Sequence, residues 1–433
     1  MTSTPQRHIA VIGGGPMGLA CAHHLVKTGA KVTVLEAGPR MGGMSVTFDF
    51  NGLDIERFFH FICRTDYDYF ALLDELGIRD ALKWKRTRMG LFHQGRLYPW
   101  GEPFALLKFP NLSLLTKLRY GLQVMITKQR KHFDDLENTR ARDWLERWLG
   151  KSGYQTLWKQ LFALKFYEHQ DNLSAAWIAA RIQRVAHSRS SLLHEELGYL
   201  EGCTQTLINA LEASLTASGA TLITRAQVQR VCTANNKITG VEVNGEVQAF
   251  DQVISTIPLP YVPDMIPDLP AEWATRIRSI MNVGVSTIIL KLKHPLTPNF
   301  WTNITDESIP IPGIIEYGNL NPLTVHTAYV PCYMPQTHPK YQWTLEQFME
   351  ELLPVFGRIN PEFKPDWVID AHLSRYHFAQ TVCVPGFAQF IPPMSGLIDG
   401  LFIADTASYY PQDRSITESV RVGRVLAELA THS

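Results

Sequence analysis

The sequence predicts an α/β protein, α+β overall, in which a parallel sheet is assembled from three separated parts of the chain around an inserted second domain. Three observations predict this fold. An apolar strand runs into a glycine cluster at residues 8–18, a glycine–helix–strand block follows residue 200, and a further apolar strand ends in an acid at residue 405. Short, almost wholly apolar runs are typical of strands that are buried on both faces of a parallel sheet.

The composition is that of an ordinary globular protein. The 433 residues carry 41 Lys and Arg against 41 Asp and Glu. A nucleic-acid-binding protein, which needs a basic excess, is therefore not expected. With 45% hydrophobic and 19% charged residues, the chain is too apolar to be disordered. Its length allows two or three domains of about 150 residues each.

Neither the cysteines nor the start of the chain indicate secretion. The six cysteines are scattered without a C-x-x-C pair, which argues against a zinc ribbon and against a disulfide framework. The residues before the first strand do not form a signal peptide, and nowhere do about 18 apolar residues follow one another. We therefore expect a cytoplasmic protein that is soluble or peripheral to a membrane, without a metal site.

The strongest motif lies in the first 36 residues. An apolar strand is followed by G-x-G-x-x-G, with Gly13, Gly15 and Gly18 as its glycines, then by a helix and a second strand that ends in Glu36. This is the order of a Rossmann-type dinucleotide-binding unit. Gly13 permits the tight turn, Gly15 lets a pyrophosphate approach the backbone, and Gly18 lets helix and strand pack closely. A glycine-rich turn that merely connects strand to helix is the alternative interpretation.

The residues around this motif suit the charges of a dinucleotide. The helix that begins near Pro16 and Met17 offers free N–H groups and a positive dipole end to phosphates. Glu36 is placed to accept hydrogen bonds from the adenosine ribose hydroxyls. Its charge disfavours the 2′-phosphate of NADP, so this segment predicts FAD or NAD.

Two further segments complete the predicted sheet. Near the C-terminus a glycine and an apolar strand lead to Asp405, and a helix begins near Ser415. Between the two ends, Gly202 precedes a helix and a strand that lead to Val228, a hairpin and a strand ending in Thr-x-Pro at 256–258. Ser415 is equally well explained as an ordinary helix N-cap without a role in binding.

The residues directly after Glu36 resemble a known family. Arg40-Met41-Gly42-Gly43 resembles the R-x-G-G extension of the flavin amine oxidase and protoporphyrinogen oxidase superfamily, which includes phytoene desaturases and UDP-galactopyranose mutase. The resemblance implies FAD, with this arginine and these glycines close to its pyrophosphate and ribityl chain. It also implies that Asp405 contacts the ribityl chain, that the C-terminal helix faces the flavin pyrimidine, and that the Val228 backbone meets adenine. The predicted FAD-binding residues are Gly13, Gly15, Pro16, Met17, Gly18, Glu36, Ala37, Arg40, Gly42, Gly43, Met44, Val228, Asp405 and Ile416.

The resemblance also predicts the domain organisation. Residues 1–84, 196–265 and 386–433 are assigned to a Rossmann-type FAD-binding domain, and residues 85–195 and 266–385 to a discontinuous substrate-binding domain of mixed sheet and helices. No second G-x-G-x-x-G occurs in the chain. Because a separate NAD(P)H-binding module is therefore missing, we expect electrons to arrive with the substrate and to leave to oxygen, a quinone or a protein partner.

One segment of the substrate-binding part has an unusual composition. Residues 103–133 contain six Lys and Arg, no acid and many interleaved apolar residues. Such a basic, apolar and partly helical stretch can lie in a membrane interface, which would make it a peripheral membrane contact. The alternative is a pair of helices with one buried face and the basic residues in water.

Catalytic residues are predicted in two parts of the sequence, one around His60 and one around Tyr376. His60 stands where galactopyranose mutases have a histidine beside the flavin, so it is a candidate to tune the redox step or act as a general acid or base. Arg57 is a second candidate, which either pairs with Glu56 or Asp54 or reaches an anionic substrate. Tyr376 is the third candidate.

Tyr376, Tyr409 and Tyr410 are together predicted to form an aromatic cage, because tyrosines lie close to the flavin in amine oxidases. Ordinary half-buried tyrosines are the alternative interpretation.

Departures from the family patterns limit the assignment. Amine oxidases have a lysine on the strand that corresponds to residues 285–289, and none stands there. Lys291 and Lys293 follow and are predicted to face solvent, so amine oxidation is in doubt. Galactopyranose mutases have an arginine after the C-terminal cofactor strand, where this chain has Asp405-Thr406-Ala407, although residues 94–99 resemble a hairpin of the mutases.

The sequence thus predicts an FAD-dependent oxidoreductase that transfers a hydride from a small organic substrate, apolar or lipid-like, to flavin N5. A separate acceptor takes the electrons. One alternative is a sugar-nucleotide mutase that uses reduced FAD and binds its substrate through arginines such as Arg86, Arg88 or Arg375. Another is a non-catalytic flavin-binding or membrane-associated protein. The substrate, the acceptor and the oligomeric state are not predicted.

Overall fold

The computed structural model describes residues 6–191 and 194–433. Within them the helices are α1 (Pro16–Val26), α2 (Tyr67–Glu75), α3 (Pro103–Lys108), α4 (Leu114–Lys128), α5 (Ala141–Tyr154), α6 (Gln160–Phe166), α7 (Ala175–His187), α8 (Gln205–Ala217), α9 (Val262–Met265), α10 (Ala271–Arg278), α11 (Leu345–Ile359) and α12 (Ile416–His432). No helix in the described ranges combines the length and the apolar character that a membrane span requires.

The strands of the same residues are β1 (His8–Ile12), β2 (Lys31–Leu35), β3 (Thr47–Asp49), β4 (Asp54–Glu56), β5 (Leu82–Arg86), β6 (Met89–His93), β7 (Arg96–Trp100), β8 (Arg189–Ser191), β9 (His194–Leu200), β10 (Thr221–Ile223), β11 (Val228–Ala234), β12 (Lys237–Val243), β13 (Glu246–Ala249), β14 (Gln252–Ser255), β15 (Asn282–Leu292), β16 (Trp301–Ile304), β17 (Gly313–Ile315), β18 (His326–Met334), β19 (Val368–Thr381) and β20 (Leu401–Ile403).

A parallel sheet of five strands carries the glycine motif. Its order is β10-β2-β1-β14-β20, with β1 in the middle and every neighbouring pair parallel. Helices α1, α8 and α12 pack beside one another on this sheet. Four of the five residues of β1 are buried, as its apolar sequence predicts. The mixed α/β fold class predicted from the sequence is confirmed.

A second, mixed sheet has seven strands in the order β19-β15-β18-β17-β16-β6-β7. All neighbours in it are antiparallel except β16 and β6. Every strand of this sheet falls within the two segments that the sequence assigns to substrate binding, and every strand of the parallel sheet falls within the other three. A small sheet of β5, β9 and β8 crosses the proposed boundaries at residues 85 and 196.

The two ends of the chain meet where α1 crosses α12. A Cβ atom placed on Gly423 of α12 would lie 2.5 Å from the Met17 carbonyl oxygen and 3.0 Å from the Cys21 nitrogen, both in α1. No side chain fits at such distances. A glycine therefore lets the first and last helices of the fold approach backbone to backbone.

We predict that Gly423→Ala lowers the free energy of unfolding by about 1–3 kcal/mol, because the added methyl group must push α12 away from α1. Urea denaturation followed by circular dichroism measures this. Gly357→Ala in α11 is the matched control, because a Cβ there meets no atom within 4 Å. The control should raise stability by about 0.5–1 kcal/mol. Equal effects of the two substitutions would contradict the close contact.

Candidate active site

The three glycines of the first motif have different surroundings. Gly13 has a φ of +106°, a conformation that L side chains rarely adopt. A Cβ placed on Gly18 would lie 2.0 Å from the Gly13 carbonyl oxygen, so α1 packs directly against the turn. Around Gly15 the nearest heavy atom to such a Cβ is Gly43 Cα, at 3.9 Å. The loop therefore leaves open space in front of Gly15, where the sequence predicts that a pyrophosphate approaches.

The R-x-G-G segment packs against this loop. The Gly42 N–H donates to the Gly14 carbonyl oxygen at 2.7 Å, and Gly42 and Gly43 have φ values of +125° and +54°. A Cβ placed on Gly43 would lie 3.1 Å from Gly15 Cα. Arg40 Nη1 donates to the Thr47 carbonyl oxygen at 3.0 Å, which holds the segment in place. Two glycine motifs that are separate in sequence thus form one surface.

Glu36 forms hydrogen bonds with the first glycine motif and with the segment that leads to R-x-G-G. One of its carboxylate oxygens accepts from the Gly14 N–H at 2.7 Å, and the other accepts from the Gly38 N–H at 2.7 Å. Each oxygen retains a lone pair, so the carboxylate can still accept from ribose hydroxyls. The predicted contact of Glu36 with a dinucleotide is therefore compatible with its hydrogen bonds to the Gly14 and Gly38 N–H groups.

Asp405 has a corresponding position at the end of β20. It accepts from the backbone N–H groups of Leu259 at 2.8 Å and Ala407 at 2.7 Å. Burial raises the pKa of Asp405 to about 6, although these two hydrogen bonds oppose the rise. Ser415 caps α12 by accepting from the Glu418 N–H. This is the helix N-cap that the sequence analysis gave as the alternative to a role in binding. The cap leaves the first N–H groups of α12 beside Ile416 as donors.

A cavity of about 2050 Å³ joins these parts. It exceeds the roughly 300–1,000 Å³ of an ordinary ligand site, so it has room for a dinucleotide and a substrate together. Twelve of the fourteen predicted cofactor residues line it: Gly13, Gly15, Pro16, Met17, Glu36, Ala37, Arg40, Gly43, Met44, Val228, Asp405 and Ile416. Gly18 and Gly42 do not line it, because they serve the close backbone contacts behind its wall.

His60 lines the cavity and is held by a buried acid. Glu56 accepts from the His60 backbone N–H at 2.9 Å and lies 3.3 Å from Nδ1 of its ring. Because a carboxylate only accepts, this contact selects the neutral tautomer with the proton on Nδ1, in which Nε2 is the acceptor. Glu56 also accepts from the Thr204 N–H at 2.9 Å. Sequence reasoning considered Glu56 only as a partner of Arg57 and missed this anchor, although the four-residue spacing from His60 was visible.

Arg57 forms no ion pair with Glu56 or Asp54 in the part of the chain that the structure describes, so those two predicted pairings are wrong. Its side chain is half-buried in the cavity wall and lies near His372. Burial of His372, together with the charge of Arg57, lowers the pKa of that imidazole. The remaining prediction, that Arg57 reaches an anionic substrate, stays open.

The predicted tyrosine cage is only partly present. Tyr376 and Tyr409 line the cavity, and burial raises the pKa of Tyr376 to about 12. Tyr410 does not belong to the cage, because its hydroxyl donates to Glu137 at 2.6 Å and lies 2.8 Å from Ser174 Oγ, outside the cavity wall. Tyr333, which the sequence did not single out, lines the cavity instead.

Tyr333 and Tyr376 flank one position of the second sheet. Val285 of β15 pairs with Tyr333 of β18 on one side and with Tyr376 of β19 on the other. Phe58 meets the Tyr376 ring edge-on at 6.1 Å between centroids, and Met44 of the glycine segment packs against the same cluster. These residues form what we call the aromatic wall. Only strand pairing reveals it, since its members are distant in sequence.

Val285 begins the stretch 285–289, the strand on which the family resemblance predicts a lysine in amine oxidases. Lys291, further along β15, is buried rather than solvent-facing: its Nζ donates to the Asn51 carbonyl oxygen at 3.1 Å and lies 4.6 Å from the Phe50 ring. The prediction for Lys291 is therefore wrong, because β15 is covered on both faces. Lys293 is exposed, as predicted.

A cationic cluster adjoins the aromatic wall. Lys165 Nζ lies 4.7 Å from the centre of the Tyr333 ring, and Arg414 donates to the Tyr333 hydroxyl. Arg181 pairs with Asp413 at 3.3 Å, and all four charged residues line the cavity. Burial, together with the nearby Arg181 and Arg414, lowers the pKa of Lys165 well below its usual value. The two arginines of this cluster, which remain charged, face one acid, Asp413.

The arginines proposed for a sugar nucleotide lie elsewhere. Arg86 and Arg88 are exposed, and neither they nor Arg375 are part of the cavity wall. Arg375 donates instead to the Trp343 carbonyl oxygen. The structure therefore does not bring these predicted residues to the site.

Comparison with known proteins decides the family. Residues 18–412 match the family described as flavin containing amine oxidoreductase. The chain belongs to this family. This is an oxidoreductase family of the flavin amine oxidase type, and its cofactor is FAD.

Relatives in this flavoprotein family have several different names. The chain is 25% identical over 277 residues to a protein of Mycobacterium tuberculosis provisionally named flavin-containing monoamine oxidase AofH, covering 61% of this chain and 60% of that one. It is 24% identical over 323 residues to zeta-carotene desaturase of Synechocystis, covering 65% and 64%. The flavoprotein thus spans about three fifths of the length of the curated relatives it matches.

A solved structure shows the same fold at full length. The crystal structure of a protein from Exiguobacterium, provisionally named protoporphyrinogen oxidase, covers 100% of both chains with a TM-score of 0.77 and 15% sequence identity. At this identity the likeness concerns the fold alone.

The residues of this flavoprotein fit FAD. Two helix N-termini, those of α1 and α12, open on the same cavity, where their partial positive charge suits a pyrophosphate and an electron-rich flavin ring. A side chain on Gly15 would extend into open space, because only Gly43 Cα lies within 4 Å of a Cβ placed there. Glu36 and Asp405, remote in sequence, line the same cavity.

We predict that Glu36→Gln raises the dissociation constant of FAD by about 10- to 100-fold, because the amide replaces a charged acceptor of the Gly14 and Gly38 N–H groups. Recovery of FAD fluorescence on dilution measures its release. Glu246→Gln, in an exposed hairpin strand, is the control and should retain FAD like the unaltered protein.

We predict a pH dependence of stability from Lys165. Between its lowered pKa in the folded state and its usual 10.5, the unfolded chain binds a proton that the folded chain lacks. The contribution of Lys165 to the free energy of unfolding therefore rises with pH across this window. In urea denaturation at about pH 7 and about pH 9.5, Lys165→Met should remove this rise, whereas Lys151→Met, on an exposed part of α5, should retain it. Parallel pH profiles for all three proteins would contradict a desolvated Lys165.

Proposed function

We propose that the protein oxidises an apolar organic substrate by hydride transfer to FAD and passes the electrons to a separate acceptor. One observation carries this proposal: the cavity that holds Glu36 and Asp405 continues into a chamber lined by the aromatic wall. A dinucleotide bound at one end would thus present its reactive ring to a substrate at the other.

When bound, FAD supplies a hydride acceptor at N5 and leaves the substrate two electrons and one hydrogen poorer. The chain supplies positioning and electrostatics. The N–H groups at the start of α12, which opens on the cavity, would stabilise negative charge on a bound flavin ring. The aromatic wall orients an apolar substrate and excludes water.

His60 is the group best placed to hold a proton. Its Nδ1–H is fixed by Glu56, so Nε2 is presented in one orientation on the cavity wall. An oriented imidazole accepts or returns a proton without rearrangement. We propose that Nε2 manages the proton that the substrate loses beside the hydride.

The charges of the chamber favour one substrate class. Arg181 and Arg414 adjoin the aromatic wall with Asp413 as their acid, so this part of the wall has an excess of positive charge. A protonated amine would be repelled there, whereas a carboxylate would be attracted. We therefore propose an apolar substrate with a neutral or anionic polar end, rather than an amine.

An anaerobic screen tests the proposal. The purified holoprotein is mixed with apolar carboxylic acids, their neutral amides and the matching amines, and the visible flavin bands are followed. The expected result is bleaching by members of the acid or amide series and none by the amines. Bleaching by amines alone would contradict the proposed substrate class. Turnover only after dithionite reduction, without net oxidation, would favour the mutase alternative.

We predict that Tyr376→Leu slows flavin reduction by a bleaching substrate about tenfold, because the aromatic wall loses the ring that orients the reacting carbon. Stopped-flow absorbance measures the rate. Tyr67→Leu is the matched control, because Tyr67 is 70% exposed on α2, and its rate should be unchanged. An unchanged rate in Tyr376→Leu would remove the aromatic wall from the mechanism.

A further inference from the structure

Helices α3 and α4 expose large apolar side chains to solvent. Their exposed fractions range from 41% to 65%, and they are eight of the fourteen large apolar side chains that are exposed in residues 6–191 and 194–433. They are Phe104, Leu107, Leu114, Leu115, Leu118, Leu122, Met125 and Ile126. We call this surface the α3–α4 face. Monomeric soluble proteins rarely expose such a contiguous apolar surface unless it contacts something.

Helix α4 is inverted relative to an ordinary surface helix. Its buried residues are the polar Gln123 and Thr127, while Leu115, Leu118 and Leu122 point to the outside at helical spacing. Gln183 donates to the Thr127 carbonyl oxygen at 3.2 Å, which fixes the polar side against α7. The exposed stripe is therefore a consequence of how the helix is attached: its polar side packs towards α7, which leaves the leucines on the opposite side in solvent.

The charges around this face have one sign. Residues 103–133 contain no acid and six basic residues, which are Lys108, Lys117, Arg119, Lys128, Arg130 and Lys131. Arg130 pairs with Asp135 just outside the segment; the other five basic residues form no ion pair with any described residue. An apolar stripe edged by Lys and Arg suits the interface of a bilayer that contains anionic lipids. A second copy of this chain fits less well, because two basic surfaces would repel each other.

The α3–α4 face is continuous with the cavity. Leu107, Leu118, Leu122 and Met125 are exposed to solvent and also line the cavity, whereas their neighbours Leu114, Leu115 and Ile126 are exposed without lining it. Leu106 continues the apolar lining inward. An apolar surface thus leads from the outside of the molecule towards the chamber beside the aromatic wall.

We propose that the α3–α4 face docks on an anionic lipid bilayer and that the substrate passes from the apolar layer of the bilayer directly into the cavity. The docking stands on the surface alone, whereas the route of the substrate rests on the proposed function. As an apolar substrate leaves the bilayer, the apolar side chains where the α3–α4 face meets the cavity would take over its contacts with lipid chains. The substrate would then not have to cross water.

Co-sedimentation of the full-length holoprotein with vesicles tests the docking. The vesicles consist of phosphatidylcholine alone or of phosphatidylcholine with phosphatidylglycerol. We expect binding to the mixed vesicles, weaker binding to phosphatidylcholine alone, and release by salt. Protein that stays in the supernatant with both kinds of vesicle would overturn the proposal.

Two sets of variants distinguish vesicle binding through the α3–α4 face from nonspecific adsorption through exposed apolar residues elsewhere. In the first, Leu114→Ser, Leu115→Ser and Ile126→Ser are combined; these residues are exposed and lie outside the cavity wall. The partition into mixed vesicles should fall about tenfold or more. The control combines Val247→Ser, Ile369→Ser and Tyr67→Ser, which are also exposed but remote from this face, and its partition should be unchanged. Circular dichroism and thermal unfolding check that each variant is folded.

The outcomes distinguish the docking from the proposed function. Undiminished vesicle binding by the first variant would overturn the docking, whatever the catalytic result. A dimer that disappears in this variant, without vesicle binding by the unaltered protein, would assign the face to a second copy instead. Vesicle binding together with a failed anaerobic screen would retain the docking and overturn only the proposed substrate chemistry.

Discussion

The structure depends on the meeting of two helix N-termini at one edge of the parallel sheet. Helix α1 follows β1 and helix α12 follows β20, and both open on the same cavity. The contact of Gly423 with the α1 backbone holds the two helices side by side. The carboxyl ends of parallel strands are where such folds bind nucleotides, because uncompensated N–H groups gather there. Glu36 and Asp405, 369 positions apart in sequence, thus lie around one concentration of positive partial charge.

The chamber for the substrate follows from this arrangement. The second sheet is built from the inserted segments, and its strands β18, β15 and β19 place Tyr333, Val285 and Tyr376 side by side opposite Met44 of the glycine segment. The cofactor side contributes fixed backbone donors, while the substrate side contributes rings and an excess of cations. The same scaffold can therefore retain FAD chemistry while the inserted sheet and helices change the substrate.

Sequence reasoning succeeded where a requirement is local. A positive φ at Gly13, a missing Cβ at Gly18 and an acid after a strand at Glu36 are properties of short segments, so their positions could be predicted before the fold was known. Sequence reasoning failed where contacts between elements distant in sequence determine the position of a side chain. Tyr410 lies outside the cavity wall because its hydroxyl donates to Glu137, which is distant in sequence. Lys291 is buried, although exposed residues follow it closely in the sequence. The apolar spacing of α4 is the same for a core helix and for a surface helix, and only the burial of Gln123 and Thr127 decides which face points outward.

Electron density for FAD in a crystal structure of the holoprotein tests the central claim most directly. The account predicts one FAD per chain, with its adenosine ribose at Glu36, its pyrophosphate in front of Gly15 and its ring between the start of α12 and the aromatic wall. A flavin bound away from Asp405, or a holoprotein in which the residues from the two ends of the chain contact different molecules, would contradict it.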